Sequence, residues 1–185
     1  MPKKPIALSC STFLSWFSVK WTIQPKELVE FFNNLGIKSG SKINVQIPKI
    51  IFNDLILSKR FIRGLFDTDG TIYFDKNRSS KSPINNQPNI KLGTVSELLA
   101  NQVFELLKKF QLNPRMRKPH RGKKDKNIVY SVLIYRRKDI GFFIKQIGFK
   151  NSKHSTKWLI YKKFGFCPPY TSLERRKEML KQKSL

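Results

Sequence analysis

Acidic side chains are scarce in this chain: 12 Asp and Glu stand against 37 Lys and Arg, and the formal net charge is +25. Cysteine is scarcer still. Cys10 and Cys167 lie far apart with no Cys or His at ligand spacing, which excludes a disulfide framework and a zinc site and suits a reducing interior. The two histidines, His120 and His154, stand among lysines with no carboxylate close in sequence to orient them. No nucleophile–His–acid arrangement is therefore indicated, and both read as phosphate contacts. No run reaches the roughly eighteen apolar residues that a membrane span requires. Lys3 and Lys4, followed by residues 6–19, imitate a signal peptide, but Ser9, Ser11, Thr12, Ser15 and Ser18 interrupt the apolar stretch and no cleavage site follows. Export is not expected.

Apolar residues are present in sufficient number to fold. They make up 39% of the chain, fifteen of them Phe, enough for one domain or one and a fraction. A foldable chain with this surplus of positive charge repels itself unless a polyanion neutralises it. Nucleic acid is the first candidate, because each neutralised phosphate releases counterions and favours binding. An anionic membrane surface, or a merely solvated basic surface, is the alternative.

An internal similarity organises the chain. KELVEFFNNLGIK (residues 26–38) aligns without gaps on KDIGFFIKQIGFK (residues 138–150), an offset of 112 positions. Each reads as a short amphipathic helix closed by a glycine, Gly36 or Gly148, where φ > 0 is needed. Each follows a strand-like stretch, 17–23 or 129–135, and each precedes a lysine, Lys42 or Lys153. Two amphipathic helices that end alike by chance are the plain alternative. If the similarity is a repeat, residues 1–50 are the tail of a truncated first copy and 51–170 a complete second copy, with a charged helix at 171–185.

Within the second copy, periodicity predicts a helix over 58–69 and a half-buried strand over 71–76. A polar, turn-rich loop (NRSSKSPINNQP, 77–88) and a second strand over 89–94 follow. A helix over 96–110 has Ser96 as N-cap. Strands near 114–119 and 128–135 flank the basic turn HRGKKDK (120–126), and helices follow at 139–147 and about 155–164. A capping box at 171–174 (TSLE) opens the terminal helix. The order predicts an α+β domain with one antiparallel sheet and helices on one face.

The segment FIRGLFDTDG (61–70) carries the chemistry. Asp67 and Asp69 stand two apart at the C-terminal end of an apolar helix, directly before Gly70. That is the unfavourable end of the helix dipole for negative charge. A divalent cation would remove the cost, and carboxylate and carbonyl oxygens suit Mg²⁺. Local physics leaves two readings open: a metal site, or two solvated acids at a helix end.

IRGLFDTDG (62–70) resembles the signature of the LAGLIDADG homing endonucleases, matching at Gly64, Leu65, Asp67, Asp69 and Gly70. Phe61 and the following Thr71 and Ile72 are similar to the second-copy motif of archaeal and intein-associated members. Residues 26–48 resemble the end of a first repeat and IGFKNSKH (147–154) the close of the second. The resemblance implies an αββαββα fold whose saddle-shaped antiparallel sheet lies along the major groove of double-stranded DNA, where base edges carry an unambiguous code. It implies Asp69 as catalytic carboxylate and ligand of Mg²⁺ (or Mn²⁺), with Thr68 beside it in the ligand set, and Asp67 as the more structural acid. Gly64 matches the position where two motif helices pack. Lys153, and Lys42 for the truncated copy, match the basic pocket near the scissile phosphate, with Lys150 and Lys157 as competitors.

The expected DNA contacts from the sheet are Tyr73, Asp75, Lys76, Asn89, Lys91, Arg115, Arg117 and Tyr130; Arg121, Lys123 and Lys124 would track the flanking backbone. The activity implied is site-specific, metal-dependent cutting of both DNA strands, of the kind that mobilises introns or inteins. The rival readings are a DNA- or RNA-binding maturase or regulator of the same fold that no longer cuts, and a basic protein of membrane surfaces or ribosomes. One motif needs a second, so a homodimer or a partner chain supplying the other motif is expected, inside a prokaryotic (archaeal-type) cell or an organelle and away from membranes.

Overall fold

The computed structural model describes residues 26–34, 36, 42–76, 84–121 and 126–182. The chain divides into two compact units, Met1–Ser39 and Gly40–Leu185. In the first, helix α1 (Lys26–Asn34) is followed by Gly36 at φ +83°. In the second, α5 (Arg137–Gln146) ends the same way, with Gly148 at φ +69° and its N–H donating to the Phe143 carbonyl at 2.9 Å. Both glycines of the aligned segments thus take a backbone that side-chain-bearing residues rarely adopt. The strand-like stretch 17–23 lies outside the described residues.

The second unit begins at Gly40, eleven residues before the start of the complete copy read from sequence, and residues 42–48 within it are stitched onto α4 (Glu97–Lys109). The Ile47 N–H donates to Gln102 Oε1 at 2.7 Å, Ser96 Oγ donates to the Val45 carbonyl at 2.7 Å, and Ile47 is buried. A 3-10 turn at Lys42–Asn44 and a short helix α2 (Lys49–Asn53), neither signalled in the sequence, lead into α3 (Leu55–Thr68). Helix α3 starts three residues earlier than expected, since the Asp54 carboxylate accepts the N–H groups of Ile56 and Leu57 at 2.7 and 2.8 Å. Its buried stripe is Ser58, Ile62 and Phe66, spaced four apart.

Strands β1 (Gly70–Lys76), β2 (Asn85–Thr94), β3 (Arg115–His120) and β4 (Val129–Ile134) form one antiparallel sheet in the order β1-β2-β4-β3. The α+β expectation and the order helix-strand-strand-helix-strand-strand-helix hold. The loop expected over 77–88 is shorter than read: Asn85, Gln87 and Pro88 pair with Lys76, Asp75 and Phe74. Pro88 is tolerated there because β4 pairs only with Ile90–Thr94, so no ladder bond on that side needs its missing N–H. The terminal helix α7 (Leu173–Lys181) is capped by Ser172, whose Oγ accepts the Arg175 N–H; Thr171, the expected cap, instead donates to the Pro168 carbonyl.

Register sorts the sheet residues into two faces. Ile72, Ile90 and Ile134 align across three strands, as do Leu92 and Val132, and all are buried against Ile62, Phe66, Val103, Leu106, Leu107, Ile140 and Phe143 of the helices. Ile160, from α6 (Ser152–Phe164), joins the same core. Thr71, Lys91, Leu133 and Arg115 align on the other face.

Gly70 joins α3 to β1 at a close approach. A Cβ placed there would lie 2.5 Å from the Phe66 carbonyl oxygen and 2.7 Å from its Cα, whereas at Gly64 it would meet nothing within 4 Å. We expect Gly70→Ala to lower stability by ~1–3 kcal/mol, the cost of overpacking a rigid neighbour. Gly64→Ala should raise it by up to ~1 kcal/mol through helix propensity. Equilibrium unfolding in denaturant reads both, and equal effects would show that the Gly70 contact relaxes freely.

Candidate functional site

Two acids of one helix end receive opposite treatment. Asp67 is half-buried and both of its carboxylate oxygens accept the Lys150 N–H at 3.1 Å, while Oδ1 also accepts the Asn151 N–H at 3.1 Å. The Asn151 side chain donates to the Asp67 carbonyl at 3.0 Å and also caps α6, accepting the Lys153 N–H at 2.9 Å. Asp67 therefore faces the N-terminus of α6, where unpaired N–H groups and the helix dipole favour an anion. Lys59, donating to Gln146 at 3.0 Å, and Arg63, whose Nε donates to the Ile147 carbonyl, extend the same stripe of α3 along the end of α5. Asp69 has none of this. It caps α3 through its backbone N–H to the Leu65 carbonyl, and its exposed carboxylate has no partner among the described residues.

Behind the Asp67 contact runs a column of rings: Phe66–Phe143 at 5.2 Å, Phe143–Phe149 at 5.5 Å and Phe149–His154 at 5.1 Å. His154 is buried and cannot contact phosphate as read from sequence. Burial pushes its imidazole below the ordinary pKa of 6.5; Lys157 and Lys153 push the same way, and Asp67 opposes them. Its Nδ1 has no hydrogen-bond partner among the described residues. The neutral ring is part of the wall that holds the α6 N-terminus.

The four lysines that match or compete for the basic pocket differ in their surroundings. Lys150 is exposed and its N–H is taken by Asp67. Lys42 is exposed in the 3-10 turn, which packs beside α4. Lys153 is exposed in the first turn of α6. Lys157, one turn on, is half-buried, and its Nζ donates to the Ile72 carbonyl of β1 at 3.1 Å, two residues from Gly70. Burial lowers the Lys157 pKa, with Arg176 and then Lys153 adding to the effect. A desolvated, like-charged lysine beside a groove is the commoner mark of a working group than an exposed one. Sequence reasoning did not single out Arg176: it sits in a charged helix, yet it is buried, donating to Thr156, Thr171 and Lys153.

The open face of the sheet carries Tyr73, Asp75, Asn89, Lys91, Arg115 and Arg117. Asn89 donates to Asp75 at 3.1 Å. Burial raises the Tyr73 pKa, Asp75 adds to the rise and Arg117 opposes it. Lys76 is exposed at the end of β1 and Arg121 is exposed after β3; Lys123 and Lys124 lie outside the described residues. Tyr130 needs correction. It pairs with Thr94, shares the parity of Val132 and Ile134, and so stands on the helix-covered side, near Glu97.

A divalent metal ion fits this site in part. Asp69 is a free hard-oxygen donor of the right kind. The Thr68 hydroxyl is engaged along the helix, donating to the Gly64 and Leu65 carbonyls at 3.1 and 3.2 Å. Among the described residues no group of three His, Cys, Asp or Glu comes together. Among the described residues Asp69 is the one carboxylate left unengaged at this helix end, so a closed coordination sphere here would need donors from elsewhere. No described helix is long and apolar enough to cross a membrane.

Residues 57–148 match the model of a family described as the LAGLIDADG-like domain, from within α3 to the glycine that closes α5. Over 137 residues, 74% of this chain, the sequence is 27% identical to the Replication factor C small subunit of Methanocaldococcus jannaschii. The chain spans 7% of that protein's length. Among solved structures, that of a group I intron-encoded homing endonuclease, I-CeuI, complexed with DNA, is 17% identical and covers 83% of this chain and 59% of that one, with a TM-score of 0.32. So low a score adds nothing to the fold, which rests on the strands and helices themselves.

Asp67→Ala should cost ~1–3 kcal/mol, because it leaves the Lys150 and Asn151 N–H groups without their acceptor. Asp69→Ala should stay within about 0.5 kcal/mol, on the stabilising side, since it removes a negative charge from a helix C-terminus. Chemical unfolding of the two variants distinguishes a clamp from a free acid. His154 adds a pH dependence. Its folded pKa lies below 6.5, so the unfolded chain takes up a proton that the folded chain refuses. Its stabilising contribution is complete above about pH 6.5 and is lost as pH falls through that value toward the folded one. The thermal midpoint should drop between about pH 7 and pH 5, and His154→Phe should flatten that drop; an equal drop in both would place the titration elsewhere.

Proposed function

We propose, from the premise that this chain belongs to the LAGLIDADG family through residues 57–148, that it binds duplex DNA along the open sheet face and contributes half of a metal-dependent endonuclease centre. The observation that carries the reading is the free Asp69 carboxylate: of two acids at one helix end, the fold occupies Asp67 with backbone N–H groups and leaves Asp69 exposed. The surplus of 25 positive charges supports a polyanionic substrate, as does the Lys91, Arg115 and Arg117 set on the open face.

Asp69 would hold one side of a Mg²⁺ or Mn²⁺ ion, which supplies Lewis acidity toward the scissile phosphate. Lys153 and Lys157 would bring positive charge to the same phosphate. Arg115 and Arg117 would reach base edges or phosphates from the sheet, and Asp75 would hold Asn89 in position. The bare surface over Gly64 would take the motif helix of a second copy or of a partner chain, bringing the missing acid. The work would be intracellular, at one long DNA site, in the service of intron or intein mobility.

A second reading is favoured by the absence, among the described residues, of any three-ligand metal group: a DNA- or RNA-binding member that does not cut. One experiment separates the two. A preferred duplex is selected from randomised DNA, placed in a plasmid and incubated with the protein in Mg²⁺ and then in EDTA, with light scattering reading the number of copies on the duplex. We expect Mg²⁺-dependent double-strand cutting by two copies, reduced about a hundredfold or more in Asp69→Asn. Tight binding with no Mg²⁺-dependent cutting would establish the second reading, and unchanged cutting by Asp69→Asn would remove Asp69 from the centre.

A further inference from the structure

A groove of about 830 Å³ lies between β1, α6 and the segment leading into α7. Its walls include Tyr73 and Phe74 of β1, Lys153 and Lys157 of α6, and Tyr170 and Arg176. Three features of it are unexplained by the sheet-face reading. The first is uncompensated charge. Arg176 is 5% exposed and all three of its contacts are neutral oxygens, from Thr156, Thr171 and Lys153. Lys157 spends one Nζ proton on the Ile72 carbonyl and keeps two. Among the described residues no carboxylate pairs with Lys153, Lys157 or Arg176. Cations held this close in a partly dry site repel one another and are relieved by an anion.

The second feature is Tyr170. It is fully exposed, at 105% of the reference value, and sits at φ +56°, a backbone that a bulky side chain rarely takes. The buried Cys167 beneath the turn, with its N–H on the Asn85 carbonyl, and the Thr171 hydroxyl on the Pro168 carbonyl hold the turn in that form. An aromatic ring held in solvent by a strained backbone is a stacking surface without a partner. The third is continuity: Tyr73 belongs both to the groove wall and to the open face of the sheet.

We infer that this groove receives one unpaired nucleotide of the bound nucleic acid: the phosphate given above to Lys153 and Lys157 is that nucleotide's own, and its base lies against the Tyr170 ring. The chemistry selects an unstacked nucleotide rather than a free anion, because the cations meet a phosphate and the aromatic rim needs a planar base. It rejects a paired one, whose base has both faces covered. The ligand class is a frayed end, a flipped base or a single strand. Arg176 acts as a positioning residue, tying Lys153 and the 167–172 segment together from behind. The inference rests on the nucleic-acid reading above and adds to it a second contact surface, beside the sheet.

The test uses the full chain and three probes: an oligo(dT) of about eight nucleotides, a duplex of the same length, and inorganic phosphate. Binding is followed by the NMR signals of the Tyr73 and Tyr170 rings and the Lys157 ammonium. Oligo(dT) should move all three signals and bind at least about tenfold more tightly than phosphate, as one or two stacked bases require. Tyr170→Gly, a residue that accepts the positive φ, should keep the thermal midpoint and lose about tenfold in oligo(dT) affinity. Oligo(dT) binding no tighter than phosphate would reduce the groove to an anion site and overturn the proposal, and so would undiminished oligo(dT) affinity in Tyr170→Gly. Duplex affinity of Arg117→Ala reports on the sheet face separately: its failure to fall would sink the sheet reading while leaving the oligo(dT) result to stand or fall alone.

Discussion

The hydrogen bonds between Asp67 and the turn at Lys150 and Asn151 are the contact on which the rest of the site depends. They join residues more than eighty positions apart and set the end of α3 against the start of α6. An acid at a helix C-terminus is ordinarily unfavourable, but here the neighbouring helix presents its own N–H groups and the favourable end of its dipole. Arg63 and Lys59, one and two turns earlier, extend the same contact by donating to the Ile147 carbonyl and to Gln146. With α3 held along that stripe, Asp69 follows at the cap, where no described residue bonds to its carboxylate. The close approach of Gly70 to Phe66 then turns the chain directly into β1.

Charge is distributed with the same economy. The two ion pairs among the described residues, Glu105–Lys108 and Arg175–Glu178, are exposed pairs within single helices and contribute little to stability. Carboxylates elsewhere hold backbone or side-chain donors: Asp54 caps α3, Asp67 holds the 150–151 turn and Asp75 holds Asn89. Among the described residues, Lys153, Lys157 and Arg176, and Lys91, Arg115 and Arg117 of the open sheet face, thus form no ion pair. An anionic partner would relieve that surplus, and both proposed contact surfaces carry such residues.

Sequence periodicity was enough for the elements whose physics is local. Ser96 and Gly148 stand where caps are required, and β1 alternates as a half-buried strand must. The order of helices and strands followed, as did the acidic helix end. The segments misread are those where distant partners override local signals. Asn85–Pro88 reads as a loop by composition and becomes strand because β1 offers its open edge. His154 reads as one more basic surface residue and is buried behind Phe149.

The sequence by itself determined the element order, the excess of positive charge and the presence of two acids at the end of α3, because propensity, period and composition act over a few residues. Only the tertiary structure decided that Asp67 is occupied and Asp69 free, that Tyr130 faces the helices while Tyr73 faces outward, and that Lys157 and Arg176 lie together in one groove. Those outcomes depend on the pairing register of the strands and on contacts across more than eighty residues. Local chemistry does not encode such distances, and packing settles which of two similar side chains is left exposed.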